Sequence, residues 1–104
     1  MTREHLLQQV KTSLKAVYGD RLQGVVLYGS EARGDAETDS DVDLLVLLAG
    51  SVQLGSDTRT IIDALYPLVI QTGRPIHAQP VEVDLYEAGE FSLYRNAKEE
   101  GIRV

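Results

Sequence analysis

The sequence contains no cysteine, only two histidines, and fewer basic than acidic residues. The absence of cysteine excludes disulfide bonds, a cysteine nucleophile, and thiolate sites for zinc or iron–sulfur clusters. His5 and His77 are too few for a histidine-rich metal site. Ten basic against sixteen acidic residues give a net charge of −6, which argues against direct binding to nucleic acid or to an anionic membrane. The longest apolar run, Leu44 to Ala49, is too short to span a bilayer.

The remaining composition is that of a small globular protein. With 104 residues, 43% hydrophobic and 25% charged, we expect one domain spanning residues 1–104. The segment from Met1 to Val17 is charged and amphipathic, unlike a signal peptide. These features favour a cytoplasmic protein.

Hydrophobic periodicity predicts the order helix, strand, strand, helix, strand, helix, with a short terminal strand. This order indicates an α/β (α+β) fold in which helices flank a small mixed sheet. Pro67 is expected to kink or end the second helix, and Pro80 to place the third strand at a sheet edge or bulge. The predicted ranges are a helix over about 3–18, strands over Leu22 to Tyr28 and Asp41 to Leu48, a helix capped by Ser56 or Asp57 and ended by Gly73, a strand over Pro75 to Val83, a helix over Glu90 to Glu100, and a strand over Ile102 to Val104.

Both long helices carry an apolar stripe that is predicted to face the core. Thr2 is the expected N-cap of the first helix, and Gly19 its expected end. The residues predicted to point inward are Leu6, Leu7, Val10, Leu14, Val17 and Tyr18 in the first helix, and Ile61, Ile62, Leu65, Leu68 and Val69 in the second.

Two aspartates begin the second predicted strand. Strand alternation places Asp41 and Asp43 on one face, roughly 6–7 Å apart along the strand. Two carboxylates at this spacing suit one hard cation or a pair of cations that clamp a triphosphate. Val42 is expected to point into the core and to anchor the pair.

A Gly-Ser pair ends the first predicted strand, ten residues before the aspartates. Gly29 permits close approach of the backbone to a phosphate. Ser30 adds a hydroxyl and a backbone N–H at the start of a predicted helical turn, where anions are favoured. The loop between the two motifs is long enough to place this phosphate cradle opposite the carboxylates.

Together these motifs resemble the signature of the DNA polymerase beta-type nucleotidyltransferase superfamily. Residues 29–43 read GSEARGDAETDSDVD, similar to Gly-Ser-x10-Asp-x-Asp. The fuller form, Gly-Ser-x-Ala-Arg-Gly followed by Ser-Asp-x-Asp-Leu, resembles the minimal nucleotidyltransferases of prokaryotes. The resemblance implies a polymerase beta-like nucleotidyltransferase fold for the chain.

The resemblance also implies roles for the matching residues. Gly29 and Ser30 would hold the β- and γ-phosphates of a nucleoside triphosphate, with ATP as the expected substrate. Asp41 and Asp43 would be catalytic and would bind two Mg²⁺ ions. An acceptor hydroxyl would attack the α-phosphate, and pyrophosphate would leave. Arg33 either touches the nucleotide phosphates or braces the loop against the acids at 35, 37 and 39.

Most members of the superfamily complete the metal site with a third carboxylate on a later strand. The corresponding strand here has no acid at its centre. Different alignments place His77, Glu82 or Asp84 at that position, and Glu82 is our candidate for the third catalytic carboxylate. With His77 there instead, the site would lack a bridging ligand.

The resemblance further implies a partner protein. Minimal nucleotidyltransferases commonly pair with a small helical HEPN-domain toxin, which they neutralise, in some cases by transferring AMP to a tyrosine. We therefore expect an antitoxin that adenylylates its partner. The alternatives are a catalytically degenerate antitoxin that works by binding alone, and a transferase that acts on a small molecule such as an antibiotic.

Overall fold

The computed structural model describes residues 1–34 and 40–104. These form a four-stranded mixed sheet with helices on both faces. No helix among the described residues combines the length and the hydropathy that a membrane crossing requires. The elements are α1 (Arg3–Tyr18), a 3₁₀ turn (Gly19–Arg21), β1 (Leu22–Tyr28), α2 (Ser30–Arg33), β2 (Val42–Leu48), α3 (Leu54–Thr72), β3 (Ile76–Glu82), α4 (Val83–Ala88), α5 (Ser92–Glu100) and β4 (Ile102–Arg103).

The strand order is β3-β2-β1-β4. β1 pairs antiparallel with both β2 and β4, whereas β2 and β3 run parallel because α3 connects them as a crossover. β3 is an edge strand, which confirms one of the two placements predicted from Pro80: an edge tolerates a residue that lacks a backbone N–H. The two strands in the middle of the sheet are β1 and β2, the strands that flank the two sequence motifs.

The larger core lies between one face of the sheet and helices α1 and α3. It takes alternate residues of β1 and β2 because successive strand side chains point to opposite faces. At its start, α1 is capped as predicted, since the Thr2 hydroxyl accepts a hydrogen bond from the His5 N–H at 3.1 Å. The buried members are Leu6, Leu7, Val10, Leu14, Leu22, Val25, Leu27, Val42, Leu44, Val46, Leu48, Ile61, Leu65 and Leu68.

The opposite face of the sheet is covered by α4 and α5. Val26, Leu45 and Leu47 pack there with Tyr86 and Ala97. Because α4 and α5 are short, the apolar layer on this side is smaller than the one beneath α1 and α3. Asp43 is two residues from Leu45 on the same strand, so its side chain projects from the same face of the sheet.

Asp57 in the first turn of α3 holds together the loop between β2 and α3. Its carboxylate accepts hydrogen bonds from the Tyr18 hydroxyl and the Gln53 N–H, both at 2.8 Å, and lies 3.5 Å from Nη1 of Arg21. Burial alone would raise the pKa of Asp57, but these hydrogen bonds and the Arg21 charge outweigh it and lower the pKa. Burial and the Asp57 carboxylate together raise the pKa of Tyr18 to about 12.

The predicted boundaries of α3 and of β2 need correction. α3 begins at Leu54, ahead of the predicted caps Ser56 and Asp57, and it continues past Pro67 to Thr72 rather than ending early. The helix tolerates this proline because its core-facing residues on both sides, including Leu65 and Leu68, are buried. β2 begins at Val42, one residue later than predicted.

Two inward-facing predictions are wrong, and one helix was missed. Val17, in the last turn of α1, is 51% exposed, and Ile62, at the margin of the apolar stripe of α3, is 57% exposed. Residues 83–88 form α4, where the sequence predicted the last residue of a strand and then loop. The predicted helix over 90–100 begins only at Ser92.

Candidate functional site

Three side chains lie in a row across the α4/α5 face of the sheet. Asp43 on β2 pairs with Tyr28 on β1 and with His77 on β3. Directly paired residues have Cβ atoms about 4.5–5.5 Å apart and project to the same side. The carboxylate of Asp43 therefore lies between a phenol and an imidazole.

Asp41 precedes β2 and reaches the same group of residues through His77. Its Oδ2 lies 2.9 Å from Nε2 of His77, within hydrogen-bond distance. Both side chains are accessible, with 53% of Asp41 and 63% of His77 exposed. The structure thus brings Asp41, Asp43 and His77 together at the start of the parallel pair β2–β3.

Gly29 places the backbone directly against Asp43. It has φ 76° and ψ −155°, a conformation that side-chain-bearing residues rarely adopt. A Cβ atom at this position would lie only 2.9 Å from Oδ2 of Asp43. The lack of a side chain is therefore what allows the turn that starts at Gly29, and Ser30 after it, to approach the carboxylate.

The surroundings of Asp43 disfavour its negative charge. Burial raises the pKa of Asp43; the charge of Asp41 adds to the rise, while His77 acts against it. The pKa of Tyr28 is also raised, first by burial and then by the Asp43 carboxylate. A cation bound beside Asp43 would favour the ionised form of its carboxylate and so reverse this effect.

Glu82 does not join this group. It pairs with Leu48 at the far end of β3, five residues from His77, or about 16 Å along the strand. Its position in the strand alternation matches that of Ala78, which packs against the α1/α3 core, so Glu82 belongs to the opposite face of the sheet from Asp43. Its Oε1 accepts a hydrogen bond from the Val52 N–H at 3.1 Å. This placement corrects the expectation that Glu82 supplies the third carboxylate.

The other two alternatives are also located. Asp84 lies in the first turn of α4, beyond the same far end of β3, and is too distant to share an ion with the aspartate pair. His77 is the residue in register with Asp43. Parallel pairing of β2 and β3 decides this register, which the sequence alone left open.

Arg33 lies at the end of α2 with its side chain 48% exposed. Its Nη1 is 3.7 Å from Oε2 of Glu100, so it links the turn after Gly29 to the end of α5. The predicted pairing of Arg33 with the acids at 35, 37 and 39 lies outside the described residues.

Sequence reasoning missed two residues beside the site, Glu31 and Arg74. Their side chains form an ion pair with both partners mostly buried, 2.9 Å between Nη2 of Arg74 and Oε2 of Glu31. The two residues are 43 positions apart, so local periodicity could not have connected them. The available signal was indirect: parallel pairing of the predicted strands would have placed Arg74 beside the start of β2.

Chemically, the arrangement suits a divalent cation bound together with a phosphate-bearing ligand. Within residues 1–34 and 40–104, no three His, Cys, Asp or Glu side chains are arranged so that together they could hold one metal ion. Mg²⁺ in proteins is usually held by one or two carboxylates, with phosphates and water filling its other positions. Asp41 and Asp43 fit that mode, and the turn at Gly29 and Ser30 lies directly against the Asp43 carboxylate.

Comparison with known proteins gives the same indication over nearly the full chain. Residues 7–104 match the model of a family described as the nucleotidyltransferase domain. The chain is also 32% identical over 102 residues to a protein of Methanocaldococcus jannaschii named "Putative protein adenylyltransferase MJ0604". That alignment covers 97% of this chain and 96% of the archaeal protein.

Two solved structures share the fold at low sequence identity. A crystal structure of a toxin–antitoxin with AMP-PNP matches with a TM-score of 0.66 and 16% identity, over 98% of this chain and 72% of that chain. A mutant of the toxin–antitoxin MntA-HpeT matches with a TM-score of 0.60 and 14% identity, over 100% of this chain and 72% of that chain. The predicted fold class, a mixed sheet flanked by helices, is confirmed by this likeness.

Proposed function

Because the chain belongs to the nucleotidyltransferase domain family, we propose that it transfers AMP from ATP to a hydroxyl group of a protein partner. The observation that carries the proposal is the contact between the Gly29 turn and Asp43. Only glycine fits there, since a Cβ would lie 2.9 Å from the Asp43 carboxylate. A phosphate-binding turn and a metal-binding carboxylate are thereby adjacent, as nucleotidyl transfer requires.

Asp41 and Asp43 are the residues that would hold Mg²⁺, and Gly29 and Ser30 would bind the triphosphate. When bound, the metal would neutralise the charge that develops on the phosphoryl group and on the leaving pyrophosphate. The pKa of Asp43 is raised mainly by burial and further by the charge of Asp41, and a cation bound beside this carboxylate would favour its ionised form. Arg33, whose side chain is half exposed beside this turn, is a candidate for contact with the phosphates.

Two similarities support a protein as the acceptor. The relative from Methanocaldococcus jannaschii is named for protein adenylylation, and both structural neighbours are toxin–antitoxin assemblies, one of them with AMP-PNP. We propose that this chain is the antitoxin of such a pair, with a small helical HEPN-domain toxin as its partner. A tyrosine hydroxyl of that toxin would be the acceptor.

A second candidate function is neutralisation by binding alone. It is favoured by His77, which is in register with Asp43 at the point where related enzymes are expected to carry a third carboxylate. An imidazole there supplies no additional negative charge for a second metal ion. A degenerate site of this kind would leave an antitoxin that masks its toxin without modifying it.

The first test is calorimetric titration with ATP, with and without Mg²⁺. We expect binding that requires Mg²⁺ and disappears in the Asp41→Ala/Asp43→Ala variant. Asp63→Asn provides a matched control, because Asp63 is an exposed acid on α3, on the other side of the sheet. Binding that persists without the two aspartates would contradict the assigned site.

The second test separates the two candidate functions. The chain, a HEPN-domain partner and Mg²⁺–ATP are incubated together, and the intact mass of the partner is measured. Transfer predicts the addition of AMP, lost in Asp43→Asn, an isosteric change that removes the charge. Masking predicts that Asp43→Asn still neutralises the partner with no change in its mass. Modification by Asp43→Asn at the wild-type rate would refute a catalytic role for this residue.

A further inference from the structure

Arg74 uses its whole guanidinium to join two segments that are distant in sequence. Nη1 and Nη2 donate to the two carboxylate oxygens of Glu31 at 3.2 and 2.9 Å, and Nε donates to the Ser40 carbonyl at 2.9 Å. The side chains of Arg74 and Glu31 are only 16% and 15% exposed. A planar fork with three directed donors fixes its partners in orientation as well as in distance.

Each of the two partners of Arg74 is the sequence neighbour of a candidate site residue. Glu31 follows Ser30 directly in α2, and Ser40 precedes Asp41 directly. Arg74 itself is followed by Pro75, whose carbonyl accepts a hydrogen bond from the Val42 N–H at 2.9 Å. One guanidinium therefore connects the phosphate-side turn, the start of the aspartate strand and the start of β3.

Stability alone gives a weak reason for this arrangement. A largely buried ion pair costs desolvation that its attraction only roughly repays, and apolar replacements are often as stable. A fork that holds two ends of a site at a fixed separation has a further use, because binding a metal–triphosphate requires both ends in place before the ligand arrives. The backbone of Glu31 is also bonded to α1, through Nη1 of Arg3 at 3.4 Å.

We propose that Arg74 and Glu31 are positioning residues, which set the distance between the Gly29–Ser30 turn and the Asp41–Asp43 pair. They act through the backbone of α2 and through Ser40 and do not contact the nucleotide. This proposal rests on the proposed function, because it assigns the purpose of the fixed distance to nucleotide binding.

The test compares Arg74→Lys and Glu31→Gln with the same substitutions in a more exposed ion pair away from the site, Arg103→Lys and Glu87→Gln. Arg103 and Glu87 form another Arg–Glu ion pair, in β4 and α4. Lysine keeps the charge of Arg74 but cannot donate to three acceptors in the fork geometry. Two measurements are made on each variant of the chain: affinity for Mg²⁺–ATP by calorimetry, and amide hydrogen exchange resolved by residue.

For Arg74→Lys and Glu31→Gln we expect a loss of Mg²⁺–ATP affinity of roughly 10- to 100-fold, the range typical of residues that orient metal ligands. We also expect faster exchange at the Arg33 and Val42 N–H groups, which are bonded to Gly29 and Pro75. Exchange in the centres of β1 and β2 should rise by a much smaller factor, set only by the global stability that the ion pair contributes. The control variants should match the wild type in both measurements.

The two readouts separate the possible failures. Wild-type affinity in both site variants, or faster exchange spread evenly over the whole protein, would overturn the positioning role and leave a purely structural ion pair. If the wild type itself fails to bind Mg²⁺–ATP, the proposed function falls. Local exchange at Arg33 and Val42 would then still decide whether the pair fixes this geometry.

Discussion

Substitution of Gly29 by alanine separates two costs that the structure combines at one residue. The first is backbone strain: residue 29 has φ 76° and ψ −155°, a conformation that costs residues other than glycine about 1–3 kcal/mol. The second is the contact of the new Cβ with Oδ2 of Asp43 at 2.9 Å. Gly19 provides the matched control: it has φ 56° and ψ −132°, and among the described residues no atom beyond its chain neighbours would lie within 4 Å of an added Cβ.

We expect Gly19→Ala to lose about 1–3 kcal/mol of unfolding free energy from strain alone, and Gly29→Ala to lose more. The excess should disappear when Asp43 is also alanine. The 2.9 Å contact with Oδ2 and the 3.7 Å contact with Cγ are then gone, and only an ordinary contact at 3.8 Å from Cβ remains. The coupling energy between positions 29 and 43 should be about 0.5–3 kcal/mol, the range for residues in direct contact.

The assay is urea denaturation of the wild type, Gly19→Ala, Gly29→Ala, Asp43→Ala and the double variant at positions 29 and 43. Equal losses for Gly19→Ala and Gly29→Ala, with no coupling to Asp43, would refute the close approach that we assign to this turn. Titration with Mg²⁺–ATP adds an independent measure: Gly19→Ala should bind like the wild type, whereas Gly29→Ala should bind more weakly because its Asp43 carboxylate is displaced.

Further predictions concern stability. Folding lowers the pKa of Glu31, mainly through its hydrogen bonds from Arg74, and it also lowers the pKa of Asp57. The two carboxylates therefore stabilise the folded state fully above the unfolded carboxyl pKa of about 4, and this contribution is lost as the pH falls through their folded pKa values. Urea midpoints measured from pH 7 downwards should show this loss, and Glu31→Gln/Asp57→Asn should flatten it; an unchanged profile would contradict the assignment. Gly101→Ala should destabilise by about 1–3 kcal/mol, since its Cβ would lie 2.8 Å from the Leu27 carbonyl. Gly55→Ala, in an open helical position, should instead stabilise by about 0.5–1 kcal/mol, and the same sign for both alanine variants in thermal melts would refute this difference.

The elements that the sequence predicts well are those whose signals are local. The apolar stripe and the Thr2 cap define α1, and the run from Leu22 to Tyr28 defines β1, with the boundaries that the structure has. The segment after Pro80 was harder, because its alternating valines and acids suit a strand as well as a helix. Packing of Tyr86 against the sheet favours α4 there, and this contact is not visible in the local pattern.

For the candidate site, the sequence located Gly29, Ser30, Asp41 and Asp43 because they lie within one short segment. The position beside them on β3 depended on strand register, which no local pattern carries. Register places His77 next to Asp43 and moves Glu82 to the far end of the strand.

The connection between β1 and β2 has a consequence for how the site assembles during folding. Gly29 directly follows β1 and Asp43 lies on β2, the consecutive antiparallel partner of β1, so the two meet over a much shorter sequence separation than Glu31 and Arg74 do, at a lower entropic cost of loop closure. Arg74 and His77 arrive only after α3 has formed the crossover to β3, a contact of much longer range. Contacts of short sequence separation form more readily than those of long separation, so we expect the carboxylate and the glycine turn to meet before the bracing residues arrive. Substitutions of Arg74 or Glu31 should therefore raise the unfolding rate more than they lower the folding rate.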